Sequence, residues 1–181
     1  MPKVLLINGS PKEKGCTYTA LKEIADTLAK EGVESEIFHV RSDAPGCRDC
    51  GYCAKKGRCS IRDDVNAVAD RLFYSNADRM AGKLGAAVVS CRRGGASAAF
   101  DRLNKYFTVC NMPVVPSQYW NQVHGFTPDD VRRDLEGLQT MRTLARNMAW
   151  LLKCIEAGRD RGIDRPVYEP HLWTHFIMPS E

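Results

Sequence analysis

Apolar residues first gather at positions 4–7, where Val4, Leu5, Leu6 and Ile7 form an unbroken run closed by Asn8-Gly9-Ser10-Pro11. A run without alternation predicts a strand buried on both faces, as in a parallel sheet. From Thr17 to Glu31 the period changes to a helical one, with Ala20, Leu21, Ile24, Ala25 and Leu28 on one face and Gly32 just beyond the end. Glu34 to Val40 alternates, which predicts a second strand at a sheet edge. A further helix is expected from Asp63 or Asp64 as N-cap, through Val65, Val68, Ala69, Leu72 and Phe73. Ala86–Ser90 reads as a third buried strand, Gly94-Gly95 as a turn, Ser97–Thr108 as a helix and Pro113-Val114-Val115 as a short fourth strand. Asp129 to Glu156 reads as one long amphipathic helix, with Leu135, Leu138, Met141, Leu144, Ala145, Met148, Leu151 and Leu152 on its apolar stripe. The tail from about residue 160 carries Pro166, Pro170 and Pro179 and is expected to be extended.

Strands alternating with helices predict an α/β domain with a parallel sheet and helices on both faces. Such sheets bind ligands beyond the carboxyl ends of their strands, where both Gly-rich loops fall, after Ile7 and after Ser90. A length of 181 residues fits a single domain over 1–181, with a Cys-rich loop at 46–60 and the extended tail. Composition adds exclusions. With 44% hydrophobic and 27% charged residues the chain is expected to fold around a core. No apolar run reaches the length of a membrane helix, and the N-terminal apolar stretch is too short for a signal peptide, so no membrane partner and a cytoplasmic location are expected. The net charge of +4 is mild and its basic residues are interspersed with acidic ones, which argues against nucleic acid as a partner.

The first chemical feature is the loop Gly9-Ser10-Pro11-Lys12-Glu13-Lys14-Gly15-Cys16-Thr17 between the first strand and the first helix. Free backbone N–H groups at a helix N-terminus favour an anion. Gly15 allows close approach, Ser10, Thr17 and Thr19 supply hydroxyls, Lys12 supplies charge, and Cys16 lies beside them in the loop. The loop matches neither the Walker pattern nor Gly-x-Gly-x-x-Gly. Its hydroxyls suit a terminal phosphate monoester; the plainer reading is a tight strand–helix turn.

The second is a cluster of cysteines. Four of the eight crowd together as Cys47, Cys50, Cys53 and Cys59, while Cys16, Cys91, Cys110 and Cys154 are scattered. In a reducing compartment a disulfide framework is not expected. Spacers of two, two and five residues let thiolates converge on one centre, so the group is a candidate metal site, for a cubane cluster ahead of zinc. The competing reading is no metal, with free or redox-active thiols. The Cys-Pro that ends bacterial ferredoxin motifs is absent.

Asn8-Gly9-Ser10-Pro11-Lys12 with Gly15 and Thr17 resembles the flavodoxin-like NAD(P)H-dependent FMN reductases. The segment from Gly46 through Cys59 to Asp63-Asp64 resembles their iron–sulfur flavoprotein branch. Asp70-Arg71-Leu72-Phe73-Tyr74, Arg92-Arg93-Gly94-Gly95, Ser117-Gln118-Tyr119-Trp120-Asn121 and Gly137-Leu138-Gln139-Thr140-Met141-Arg142 are similar to the same branch. The resemblance implies bound FMN, hydride from NAD(P)H, and onward transfer to a flavin, quinone or similar small acceptor. It implies a [4Fe–4S] cluster on the four cysteines and a homodimer or homotetramer. It places Ser90, Arg93, Gly94 and Gly95 against the isoalloxazine ring, with Arg93 as the charge that steadies reduced flavin. Arg92 reads as a solvated basic turn. Tyr119 and Trp120 read as core or interface residues. His124 has no visible carboxylate partner, so no acid–base role is assigned to it. No catalytic side chain is named, since flavin supplies the chemistry.

One departure matters. The implied fold has five parallel strands in the order 2-1-3-4-5, and only four are visible. Between Asp64 and Ala86 there is room for one helix-like stretch, Val65 to Met80, where the family has a helix, the third strand, a flavin-binding loop and another helix. The chain reads as spliced near Asp70, with a loss of about 30 residues, one βαβ increment. The strands flanking the loss must then pair directly or have the gap filled by a partner chain, and flavin affinity is expected to be weakened. The leading expectation is an FMN-dependent NAD(P)H oxidoreductase. The alternatives are an FMN/iron–sulfur electron-transfer or redox-sensing protein, and a degenerate relative with weak or no flavin binding.

Overall fold

The computed structural model describes residues 2–40, 80–170 and 172. The first unit is β1 (Lys3–Asn8), α1 (Cys16–Lys30) and β2 (Glu34–His39). The two strands pair in parallel, from Lys3 opposite Glu34 to Asn8 opposite His39. The apolar face of α1 buries Ala20, Leu21, Ile24 and Leu28. The helix ends where Gly32 takes φ +73° and the Val33 N–H turns back to the Leu28 carbonyl at 2.9 Å. That left-handed conformation costs glycine least, so the expected stop is observed.

The second unit is β3 (Val89–Cys91), α2 (Ala96–Val109) and β4 (Gln122–His124), again parallel, with Cys91 opposite His124. Then come α3 (Pro128–Arg133) and α4 (Leu135–Asp160). The tail beyond Gly162 has no helix or strand among the described residues. One core joins both units: Leu6, Leu28, Val115, Val123, Val131, Met141 and Leu144 belong to a single buried cluster. Each such side chain contributes about 1.5–3 kcal/mol by leaving water. Helices α1 and α4 pack together over this core, and a Glu23–Arg142 ion pair at 2.7 Å ties their flanks.

Four expectations need correction. The fourth strand is Gln122–His124, whereas Pro113-Val114-Val115 makes only one parallel bridge, between Val114 and Gly85. The ladder of β3 starts at Val89 rather than Ala86. The long helix is two helices, broken at Asp134, whose ψ of 77° is not helical. Its carboxylate instead accepts the Gly137 N–H at 2.9 Å and the His124 N–H at 2.6 Å, a cap that an apolar pattern does not report. Leu135, at the break, is 74% exposed and lies off the core stripe.

Finally, β1 and β3 do not pair. The described strands form two separate two-stranded ladders, β1–β2 and β3–β4. Direct pairing across the proposed loss is therefore not made, although α1 contacts both β1 and β3.

Candidate functional site

The carboxyl ends of β1 and β3 open into the two glycine-bearing loops. After β1 the chain is held by side chains at its base. Asn8 is fully buried; its Oδ1 accepts the Ser10 N–H at 3.1 Å, and its Nδ2 donates to the Glu13 carbonyl at 2.8 Å. His39, at the end of β2, bonds the Ser10 carbonyl through Nε2 at 2.8 Å. The Lys12 N–H reaches Ser10 Oγ at 3.2 Å, and the Gly15 N–H reaches the Lys12 carbonyl at 3.3 Å.

Gly15 is the N-cap of α1, with no side-chain cap and no acidic residue in the first turn. The first helical bond runs from the Thr19 N–H to the Gly15 carbonyl at 3.1 Å, so the N–H groups of Cys16, Thr17 and Tyr18 have no partner within the helix. A Cβ at position 15 would stand 3.1 Å from the Lys12 Cβ and 3.3 Å from its carbonyl oxygen, so the loop is closed around a residue with no side chain. Lys12 is exposed beside it.

The loop after β3 repeats the device. Gly95, at φ +84°, is the N-cap of α2, again without a side-chain cap or an acid in the first turn. Side chains from the two loops meet: Thr17 Oγ1 and Ser90 Oγ are 2.8 Å apart. Nearby, the Cys16 thiol donates to the Gly125 carbonyl at 3.6 Å, and the Gly125 N–H donates to the Cys91 carbonyl at 2.9 Å. Two bare helix N-termini and two hydroxyls thus sit at one end of the fold. Positive dipole ends and Lys12, Arg92 and Arg93 make that end suited to an anion.

Of the residues singled out in sequence, Ser10, Gly15, Cys16, Thr17 and Ser90 come together in this way. Arg93, Gly94 and Gly95 form the exposed rim after β3. Thr19 is engaged elsewhere, its hydroxyl donating to the Gly15 carbonyl at 3.2 Å. Arg92 is more than a solvated turn, since its guanidinium lies 5.2 Å from the centroid of the Phe126 ring, a cation–π contact. His124 does have a carboxylate partner: Nδ1 is 3.6 Å from Asp134 Oδ2. Tyr119 and Trp120 are tilted at 46° with centroids 4.9 Å apart, and at 52% and 49% exposure they are not core. Asn8, His39 and Phe126 were not expected at the site. Cys47, Cys50, Cys53 and Cys59 lie outside the described residues.

Parallel strand pairs, each with a helix whose uncapped N-terminus follows a strand end, define the class as a flavodoxin-like α/β protein. Residues 2–73 match the family described as NADPH-dependent FMN reductase. An iron–sulfur flavoprotein of Methanocaldococcus jannaschii is 26% identical over 191 residues, spanning 85% of this chain and 99% of that protein. One from Methanosarcina thermophila is 24% identical over 193 residues, spanning 88% and 100%. One from Archaeoglobus fulgidus is 37% identical over 76 residues, spanning 41% and 37%. The chain is similar to NADPH-dependent FMN reductases over residues 2–73 and to iron–sulfur flavoproteins over most of its length.

The first of these alignments also bears on the missing unit. It has 191 positions but uses 85% of 181 residues, about 154, so about 37 positions of the relative have no counterpart here. The family match stops at residue 73, close to the proposed splice. Both agree with the loss of a central βα unit between β2 and β3.

Proposed function

We propose that the protein is an FMN-dependent NAD(P)H oxidoreductase that passes electrons to a small acceptor such as a flavin or quinone. The observation that carries this is the bare N-terminus of α1 behind the Gly15 turn, flanked by the Ser10 and Thr17 hydroxyls and free of acidic residues in its first turn. That donor set fits a phosphate monoester dianion.

In this reading the N–H groups of Cys16, Thr17 and Tyr18, with Ser10 Oγ, hold the phosphate, and Lys12 adds charge from the rim. The Thr17–Ser90 contact sets the distance between the phosphate end and the loop after β3. Backbone N–H groups at Gly94 and Gly95 then face the ring, and Arg93 favours its reduced, anionic form electrostatically. Arg92 is committed to Phe126. When bound, FMN supplies the hydride chemistry, and no side chain of this chain is required to move a proton. The Cys47, Cys50, Cys53 and Cys59 set would hold a [4Fe–4S] cluster, the ligand type that its compact spacing serves. No helix among the described residues is long and apolar enough to cross a membrane. A homo-oligomer working in the cytoplasm completes the proposal.

The test is anaerobic NADPH or NADH oxidation with protein and added FMN. The proposal requires a rate above that of free FMN. Bound FMN without turnover would favour the electron-carrier alternative. No flavin binding at all would leave the degenerate relative. Iron and acid-labile sulfide in anaerobically purified protein decide the cluster, and their absence would remove it.

A further inference from the structure

We propose that Asn8 and His39 are positioning residues for the phosphate site, acting by fixing the carbonyl groups of the loop rather than by touching the ligand. The proposal rests on the flavin reading given above. Asn8 and His39 are register partners on the last rung of the β1–β2 ladder, so their side chains leave the same face of the sheet. Both reach into the loop that follows β1.

Ser10 precedes Pro11, so the peptide between them has a carbonyl but no N–H. A carbonyl oxygen turned toward a bound dianion would oppose it, and here no N–H in the same peptide offsets that dipole. His39 Nε2 takes this oxygen at 2.8 Å, which requires the proton on Nε2. Asn8 Nδ2 takes a second loop carbonyl, that of Glu13, at 2.8 Å. Asn8 Oδ1 accepts the Ser10 N–H at 3.1 Å and so holds the other side of the same residue. With both carbonyls bound at the base, the open side of the loop presents N–H and hydroxyl donors. Asn8 is completely buried, so its amide cannot exchange these partners for water.

A purely structural role would lower affinity for FMN and riboflavin together. Fixing the phosphate site lowers only the first. The experiment measures FMN and riboflavin dissociation constants by flavin fluorescence, and displacement of FMN by inorganic phosphate. It uses the full-length wild type, His39→Phe, His39→Gln and Asn8→Asp, with thermal unfolding of each. Asn8→Asp keeps the acceptor but loses the donor to Glu13 and adds a negative charge. His39→Phe and Asn8→Asp are expected to weaken FMN binding about tenfold or more, the scale of one charge-assisted hydrogen bond, with riboflavin within about twofold. His39→Gln, which restores an N–H donor, is expected to recover most of the loss. Equal weakening of both flavins, or no change in their ratio, overturns the positioning role while leaving the flavin reading in place. A wild type that binds neither FMN nor phosphate overturns both.

Discussion

Gly15 and Asn8 show how differently two loop residues are written in a sequence. Gly15 stands out because a glycine at a strand–helix junction signals close approach, and the structure shows the Lys12 backbone where a side chain would go. Ser10, Thr17 and Ser90 are legible for a similar reason, as hydroxyls in or beside the two glycine-bearing loops. Asn8 reads only as a turn former, although its amide organises the whole loop. His39 lies 29 residues from Ser10, and only the β1–β2 register brings them together. Asp134 is hidden likewise, since its partners His124 and Gly137 are joined by a cap, not by a pattern. A prediction follows from that cap. Asp134 accepts the Gly137 and His124 N–H groups, so Asp134→Ala should lose the cap and destabilise the protein by about 1–2 kcal/mol. Urea unfolding measures it, and an unchanged midpoint would show that the carboxylate is dispensable.

The elements divide by the strength of their periodicity. Helix α1 and strands β1 and β2 were readable because their apolar patterns are long or continuous. Strand β4 was not, because Gln122-Val123-His124 is three residues with one apolar member, and its place is set by pairing with β3. The start of α3 is written in Thr127-Pro128, whereas the break at Asp134 carries no signal in the apolar pattern. Thr127 and Asp130 form a reciprocal capping box there, with Pro128 at the first helical position. The Asp130 carboxyl is held below its ordinary value, first by the Thr127 hydroxyl and then by the Thr127 N–H, against a smaller opposing effect of burial. The folded state therefore favours the charged form. Its contribution is complete above the ordinary carboxylate pKa and is lost as pH falls through the lowered folded value, in the range below about pH 4. The protection factors of the Phe126 and Thr127 amides should fall over that range, and Asp130→Asn should abolish the step. A profile identical in the variant would assign the acid sensitivity to another group.

At the scale of the molecule, the alternation of strands and helices shows an α/β parallel sheet, while the flavodoxin-like type and the shortfall of one strand come only from the resemblance carried by the Asn8–Thr17 loop and the cysteine segment. What the two ladders add is that β1 and β3 have not closed up across the loss. The proposed phosphate loop depends on β1, β2 and α1, all of which are described. In the proposed reading the ring site draws on loops from both sides of the lost unit, which in the family supplies part of its wall. FMN bound as proposed is therefore held mainly by its phosphate and readily exchanged. FMN-loaded protein should lose most of its flavin on exhaustive dialysis, measured by absorbance against protein concentration; stoichiometric flavin surviving dialysis would contradict this.

The central claim is that the bare N-terminus of α1 is a phosphate site, and comparison of FMN with riboflavin isolates it, because the two ligands differ only in that group. Titration of the wild-type protein by fluorescence should give FMN binding at least about thirtyfold tighter than riboflavin, the worth of a single hydrogen bond to a charged group. Equal affinity for the two, or binding of neither, would contradict it.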